Sequence, residues 1–306
     1  MTTNARQFTN GRLRITGDIL TYEVFAKPFK IGQRPPRRKK ECRSDDTADN
    51  KTLSPAEKPK SQTRLRNLYA AKRRLTDWIN SNVKTVIGKN GQLIPPIFLT
   101  LTFADNITDL DEAHKFFKQF IAKVNYQVYH TKKAHVKYAA TFEIQPGRLK
   151  KYGVAVWHYH VVFFNWEMID TKTGVTPKRR FWQNLDKDLL QNIWDNGHID
   201  IRDITEVTDV GWYMTKYMVK DANDPKLNGR ISYLVSKGLK KAGTIYNTDF
   251  VDMLLKDFPE DTLQHFRTGI KVNFLGSKDR MIFNLAKYPE LRERNEHLIK
   301  QYFGEI

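Results

Sequence analysis

Two histidines separated by one residue, His158 and His160, are the side chains whose types and spacing point first to chemistry. They lie in the apolar stretch 154–164, which is typical of a strand. Because alternate side chains of a strand point to the same face, both imidazoles would project together. Imidazole is a common ligand of divalent transition metals, so the pair suggests a metal site. Two ordinary histidines in a half-buried strand are the alternative that this pair alone leaves open.

A carboxylate on the preceding strand favours the metal. Residues 136–145 predict a strand, and Pro146 and Gly147 predict a turn that leads through a basic loop to the histidine strand. Glu143 and Gln145 would then share one face of the resulting hairpin. An acidic side chain inside a sheet is costly unless it has a partner. A metal bound between Glu143 and the two histidines would supply that partner.

A second stretch with chemical potential, 210–220, carries two tyrosines and two lysines. If it is a helix, Tyr213 and Tyr217 stand four residues apart on one face, and so do Lys216 and Lys220. A tyrosine hydroxyl, with an ordinary pKa of about 10, is a poor nucleophile at neutral pH unless a cation or a polarised substrate assists it. The repeated Tyr-x-x-Lys pattern therefore suggests covalent chemistry at a tyrosine. An aromatic stripe beside two surface lysines is the alternative.

The charge of the chain points to nucleic acid. Its 306 residues include 52 Lys and Arg against 34 Asp and Glu, which gives a net charge of +18. Such a balance in a folded protein is typical of a nucleic-acid binder. An anionic membrane surface is the competing partner, but the sequence shows no clear basic amphipathic helix or lipidation signal. We therefore expect nucleic acid, and no membrane, as the partner.

Cysteine usage and hydropathy bear on the compartment. Cys42 is the only cysteine, which excludes a disulfide framework and a cysteine-based metal site and favours a reducing environment. No apolar run has the length needed to span a bilayer, and the N-terminal residues lack the apolar core of a signal peptide. These features predict a cytoplasmic protein.

Hydrophobic periodicity predicts the elements that position these residues. The pattern favours a hairpin over 13–25, strands over 97–103 and 198–202, and helices over 63–82, 109–128, 181–194 and 289–302. Residues 32–62 are basic and polar and predict a flexible linker, because they contain too little apolar surface to form a core. The expected organisation is an N-terminal hairpin extension at 1–31, the linker at 32–62, a central domain at 63–241 and a mixed or helical extension at 242–306.

Four segments in this order resemble the motifs of the HUH endonucleases. They are Phe98–Phe103, Phe142–Gln145, His158–His160 and Tyr213–Lys220. More narrowly, they are similar to the rolling-circle replication initiators with paired tyrosines that bacterial plasmids and single-stranded DNA phages encode. The resemblance covers residues 63–241. It implies an α+β fold, a ferredoxin-like palm in which the histidine strand lies in the middle of a central antiparallel sheet with flanking helices, the tyrosine helix beside it.

The resemblance also implies a reaction. His158 and His160 would bind Mg²⁺ or Mn²⁺ with Glu143 as the third ligand, and Gln145 is the alternative because the connection that follows is long. A tyrosine would attack single-stranded origin DNA and form a 5′-phosphotyrosine, which leaves a free 3′-hydroxyl. Tyr217 is favoured as the first nucleophile and Tyr213 as the second. Lys216 and Lys220 are the expected residues to neutralise phosphate charge or help deprotonate the tyrosines.

Related activities and partners follow from the same comparison. Relaxases place the tyrosine ahead of the histidines and transposases are usually shorter with one tyrosine, so the order here favours an initiator over either. A non-catalytic protein that binds origin or single-stranded DNA is the third alternative. The sequence contains no Walker A pattern, so we expect a host helicase to unwind the DNA and a host polymerase to extend it, in the cytoplasm of a bacterial cell.

Overall fold

The computed structural model describes residues 8–32, 60–84, 93–166, 188–204, 206–219, 230–272 and 274–304. Most of the predicted linker, the start of the predicted helix at 181–194, and Lys220 lie outside these residues. The chain divides into two compact units, one formed by residues 15–19 and 64–243, the other by residues 1–14, 20–63 and 244–306. Each unit contains a five-stranded sheet, and the chain has an α+β fold.

The described helices and strands follow one another in this order: β1 (Phe8–Thr16), β2 (Ile19–Lys30), α1 (Lys60–Asn80), β3 (Ile97–Phe103), α2 (Leu110–Tyr129), β4 (Tyr138–Ile144), α3 (Pro146–Tyr152), β5 (Trp157–Phe163), β6 (Gly197–Asp203), α4 (Val210–Thr215), a 3-10 helix (Lys216–Val219), β7 (Leu234–Val235), β8 (Gly243–Ile245), α5 (Thr248–Leu255), β9 (Leu263–Val272), β10 (Gly276–Asn284) and α6 (Pro289–Phe303). Residues 188–194 are also helical. None of the described helices is long and apolar enough to cross a membrane.

The sheet of the 64–243 unit has the strand order β6-β3-β5-β4-β7. Strand β5 pairs antiparallel with both β3 and β4, and β3 also pairs antiparallel with β6. The first strand, α2 and β4 thus form a split βαβ unit with β5 inserted between its strands, which is the ferredoxin-like arrangement. The predicted fold class is confirmed, and the histidine strand β5 lies in the middle of the sheet.

Local signals explain why the central elements form where they do. Strand β3 coincides with the predicted strand, since its apolar, β-branched and aromatic residues suit a buried sheet. Helix α2 begins after Asp109, whose carboxylate accepts a hydrogen bond from the backbone N–H of Glu112 at 2.8 Å. It ends at His130, which has a φ of 50° in the left-handed region.

The two faces of this sheet pack against different helices. One face includes Phe142, Tyr159 and Phe163, and it forms an apolar core with α2 and with residues 188–194. On the other face, Phe98, Ala139 and Val162 pack with apolar residues of α1 and α4. The second core occupies only one end of its face. The histidines lie on the remainder of that face, beside the polar side chains described below.

Two local predictions differ from the structure. The connection predicted as a basic loop after Pro146 forms the two-turn helix α3, because proline suits a first helical turn and Gly153, at a φ of 67°, ends the helix in the left-handed region. The predicted tyrosine helix is not one regular α-helix. It is α-helical to Thr215 and continues as a 3-10 helix from Lys216, so the four-residue spacing of its side chains no longer corresponds to one helix face.

The other unit is built on the strand order β8-β1-β2-β10-β9. The predicted N-terminal hairpin is confirmed, with its turn at Gly17, which has a φ of 61°. In this sheet the buried carboxylate of Glu23 accepts hydrogen bonds from Arg12, Lys278 and Arg280. Burial alone would raise the pKa of Glu23, but these bonds and charges hold the pKa well below its usual range. The N-terminal hairpin and the C-terminal strands therefore share one buried ion cluster.

Candidate active site

Glu143, His158 and His160 form a buried cluster on the sheet. Glu143 lies directly opposite His158 in the pairing of β4 and β5, and the three side chains are 3 to 7% exposed. The Oε1 atom of Glu143 is 3.1 Å from Nε2 of His158 and 3.4 Å from Nε2 of His160. Burial alone would raise the pKa of Glu143, but hydrogen bonds from both histidines outweigh it and lower the pKa to about 2. The carboxyl group is thus held ionised.

The donor atoms of this cluster fit a metal ion. One nitrogen or oxygen from each of the three side chains lies within 4.8 Å of the others. The Nδ1 atom of His158 is buried and has no hydrogen-bond partner among the described residues, whereas Nδ1 of His160 lies 3.3 Å from the hydroxyl of Thr100. When Nδ1 donates to Thr100, Nε2 of His160 is left with the lone pair that a metal requires. The cluster can hold a metal ion, and Gln145 is not part of it.

The strand register continues this face toward β6, where it becomes polar and open. Thr102 lies between His158 and His198, and Thr100 lies between His160 and Asp200. Both threonines are half-buried and His198 is exposed. A polar strip on β3 and β6 therefore connects the buried cluster to solvent.

Tyr213 lies next to the same face. Its ring, half-buried on α4, stands edge-on to Phe98 with the centroids 5.5 Å apart. The ring of Phe98 in turn stacks on His160 at 5.6 Å. The Nζ atom of Lys216 is 4.0 Å from the centroid of the Tyr213 ring, a cation-π contact. One aromatic side chain thus links Tyr213 to a histidine of the cluster.

The remaining predicted residues are placed less fully. The backbone of Tyr217 lies in the 3-10 helix, but its side chain and the whole of Lys220 lie outside the described residues. Among the predicted site residues, the structure therefore brings together Glu143, His158 and His160, with Tyr213 and Lys216 beside them.

Comparison with known proteins finds a family similar to this part of the chain. Residues 96–222 match the model of the family described as Replication-associated protein ORF2. The match supports a replication initiator. It runs from the start of β3 to just beyond the 3-10 helix and so includes the cluster, Tyr213 and Lys216. No curated protein and no solved structure gives a significant match.

Within the matched segment, the tyrosine helix is fixed from outside by Asn80 at the end of α1. The buried Asn80 donates from Nδ2 to the carboxylate of Asp209 at 2.9 Å and accepts a hydrogen bond from the backbone N–H of Gly211 at 2.7 Å. Asp209 is the N-cap of α4 and accepts from the N–H of Trp212. A side chain at Gly211 would meet the Asn80 amide at 2.7 Å, which explains the glycine.

Asn80→Ala is expected to lower the free energy of unfolding by about 1–3 kcal/mol, because it leaves the buried N–H of Gly211 without its acceptor. Loosening the start of α4 should also displace Tyr213, so any reaction at that tyrosine should slow. Urea unfolding followed by circular dichroism measures the first effect. Asn67→Ala, at an exposed position of the same helix, is the control and should change stability by less than about 0.5 kcal/mol. Equal stability of both variants would contradict the bracing role of Asn80.

Sequence reasoning missed three residues of this neighbourhood: Phe98, Asn80 and Arg202. Each acts through a partner far along the chain, Asn80 through α4 and Arg202 through Tyr213. The buried asparagine carried a weak signal, since a polar residue at the end of an apolar helix face requires a partner. No local pattern indicates which partner that would be.

Proposed function

We propose that this protein is a metal-dependent endonuclease that nicks and rejoins single-stranded origin DNA and so initiates rolling-circle replication. The observation that carries the proposal is the buried Glu143-His158-His160 cluster with Tyr213 beside it, inside the segment that matches a replication-associated family. Neither feature alone specifies the reaction. Together they combine a cation site with a tyrosine hydroxyl in a segment similar to a family that acts in replication.

The three side chains of the cluster would hold Mn²⁺ or Mg²⁺. Two imidazoles and one carboxylate favour Mn²⁺, since Mg²⁺ prefers oxygen ligands. When bound there, the ion would act as a Lewis acid that polarises and orients the scissile phosphate. Thr100 and Thr102, on the open strip next to the cluster, would donate hydrogen bonds to the DNA backbone.

The tyrosines supply the nucleophile in this proposal. A phenolic oxygen attacks phosphorus, the bond between phosphorus and the 3′-oxygen breaks, and the 3′-oxygen takes up one proton for the one that the phenol loses. The products are a 5′-phosphotyrosine and a 3′-hydroxyl that primes synthesis. Because one phosphodiester replaces another of similar energy, the same step run backward closes the circle. We assign the first attack to Tyr217 and the second to Tyr213.

The lysines and the net charge would serve DNA. Lys216, against the Tyr213 ring, and Lys220 would balance the negative charge of the phosphate near each tyrosine. The net charge of +18 predicts DNA affinity that falls steeply as salt rises, because bound counterions are released. We propose that a host helicase and polymerase unwind and extend the DNA once the nick is made.

The test is a denaturing gel of the full chain with labelled single-stranded oligonucleotides tiled across the DNA element that encodes it, with Mn²⁺ or with EDTA. We expect a covalent protein-DNA band with at least one tile, present with Mn²⁺ and absent with EDTA. Metal-independent DNA binding with no covalent band on any tile would overturn the endonuclease and favour a non-catalytic origin-binding protein.

A further inference from the structure

Arg202 lies where the polar strip of the sheet meets the tyrosine helix. It is on β6, directly opposite Phe98 of β3, the residue whose ring contacts Tyr213. Its Nε atom donates to the carboxylate of Asp200 at 2.9 Å, and its side chain also hydrogen-bonds that of Tyr213. Two neighbouring strands thus place a guanidinium and an aromatic ring against one tyrosine.

We propose that Arg202, oriented by Asp200, is a positioning residue that holds the Tyr213 side chain and stabilises the charge that develops on its oxygen during strand transfer. The inference rests on the proposed function, because it assigns a role within that reaction. It concerns the exposed end of β6, which holds no residue of the metal cluster.

The contacts around Tyr213 divide into two kinds. Phe98 and Lys216 contact the ring and so limit where the ring lies. Arg202 hydrogen-bonds the side chain through its only polar atom, the phenolic oxygen. The ring contacts cannot fix the direction of the hydroxyl, whereas a donor at the oxygen can. Of the three, Arg202 alone acts on the atom that would form the new bond.

Asp200 makes this arginine suited to the task. The two residues stand two apart on one strand, so both side chains project from the same face. Arginine is long and loses considerable rotamer freedom when it is fixed in one position. The ion pair with Asp200 holds the guanidinium before DNA arrives, and the planar fork leaves other N–H groups free to point elsewhere.

The charge argument gives Arg202 more weight in the reaction than in the resting protein. As the oxygen of Tyr213 loses its proton and bonds to phosphorus, negative charge gathers on the phenolic oxygen and on the phosphoryl group. Hydrogen bonds from a charged donor to such an oxygen are shorter and stronger than those to a neutral hydroxyl. An interaction that strengthens along the reaction lowers the barrier rather than merely binding DNA.

The experiment measures which tyrosine becomes linked to DNA and how fast. The full chain is mixed with Mn²⁺ and an excess of the single-stranded oligonucleotide that gives the covalent band, quenched over time and digested with trypsin. Cleavage after Lys216 separates Tyr213 from Tyr217, so mass spectrometry quantifies each linked peptide. Arg202→Gln and Arg202→Lys are compared with Arg230→Gln, which removes another exposed arginine that pairs with a carboxylate, Asp111. DNA affinity is measured in parallel by fluorescence anisotropy.

For Arg202→Gln we expect the rate of Tyr213 linkage to fall about tenfold or more, less than the roughly 10²–10³-fold loss for a fixed oxyanion donor because Lys216 remains. Linkage at Tyr217 and DNA affinity should change less than about threefold, since one exposed charge contributes little to binding. Arg202→Lys should recover part of the rate, and Arg230→Gln should match the wild type.

Each other outcome is decisive. Equal Tyr213 linkage in wild type and Arg202→Gln would overturn the inference while leaving the nuclease intact, and so would wild-type linkage at Tyr217 alone. A loss of DNA affinity that accounts for the whole rate change would make Arg202 a phosphate contact instead. If the wild type forms no covalent band at all, the proposed function fails and this inference fails with it.

Discussion

Glu143→Gln and His158→Asn are each expected to lower the affinity for Mn²⁺ by more than about 100-fold. Even outer-shell partners of metal ligands cost about 10–100-fold when they are removed, and these two side chains belong to the cluster itself. Both substitutions keep a polar side chain of similar size in the buried site, which limits the cavity that an alanine would leave. Isothermal titration calorimetry of the full chain with Mn²⁺ measures the affinity directly.

Two further readouts accompany that titration. In the wild type, Mn²⁺ at about 100 times its dissociation constant should stabilise the fold by about 2.7 kcal/mol, and in the variants it should have almost no effect. The covalent DNA band should fall by at least about 10³-fold in both variants, since metal-ion chemistry is expected to supply several kcal/mol of the barrier reduction. Thermal unfolding with and without Mn²⁺ keeps the prediction testable even before a DNA substrate is found.

His198→Asn is the matched control. His198 projects from the same sheet face, opposite Thr102, but it is exposed and lies outside the cluster. It should leave Mn²⁺ affinity within about twofold of the wild type. Unchanged Mn²⁺ binding in Glu143→Gln and His158→Asn, or an equal loss in His198→Asn, would mean that the ion binds elsewhere.

The residues that could be placed from the sequence are those whose positions depend on local periodicity. The two-residue spacing of His158 and His160 puts both on one face of any strand, and β3 has the predicted bounds because its seven residues favour no other structure. The pairing of Glu143 with His158 could not be fixed in this way. It depends on the path of the chain between them, which is a helix rather than the predicted loop.

Contacts between distant segments could not be read at all. Phe98 meets Arg202 only because β3 pairs with β6, and no local pattern selects that pairing over another edge of the sheet. The same holds for the other unit, where the N-terminal strand β2 lies next to the C-terminal strand β10. The sequence predicted the hairpin and a separate C-terminal extension, but the choice of neighbouring strands is made by the packing of the whole sheet.

The second large effect concerns the tyrosines. The double variant Tyr213→Phe with Tyr217→Phe should lose the covalent DNA band by at least about 10³-fold, because phenylalanine keeps the ring and removes only the attacking oxygen. Each single variant should retain linkage at the other tyrosine alone. We expect Tyr217→Phe to slow the first nick, and Tyr213→Phe to permit the nick but prevent the rejoining of a second strand. Time courses of nicking and joining on a labelled single-stranded substrate separate these steps.

Tyr152→Phe is a demanding control for that series. Tyr152 is an exposed tyrosine of the same unit and also has a lysine over its ring, since Nζ of Lys151 lies 4.9 Å from the ring centroid. It shares the local chemistry of Tyr213 but has no place on the face that holds the cluster, so the covalent band should be unchanged. If the double variant still forms the band, neither tyrosine is the nucleophile. If Tyr213→Phe rather than Tyr217→Phe stops the first nick, the order of attack is reversed, and the contact through Phe98 to His160 then marks Tyr213 as the initiating residue.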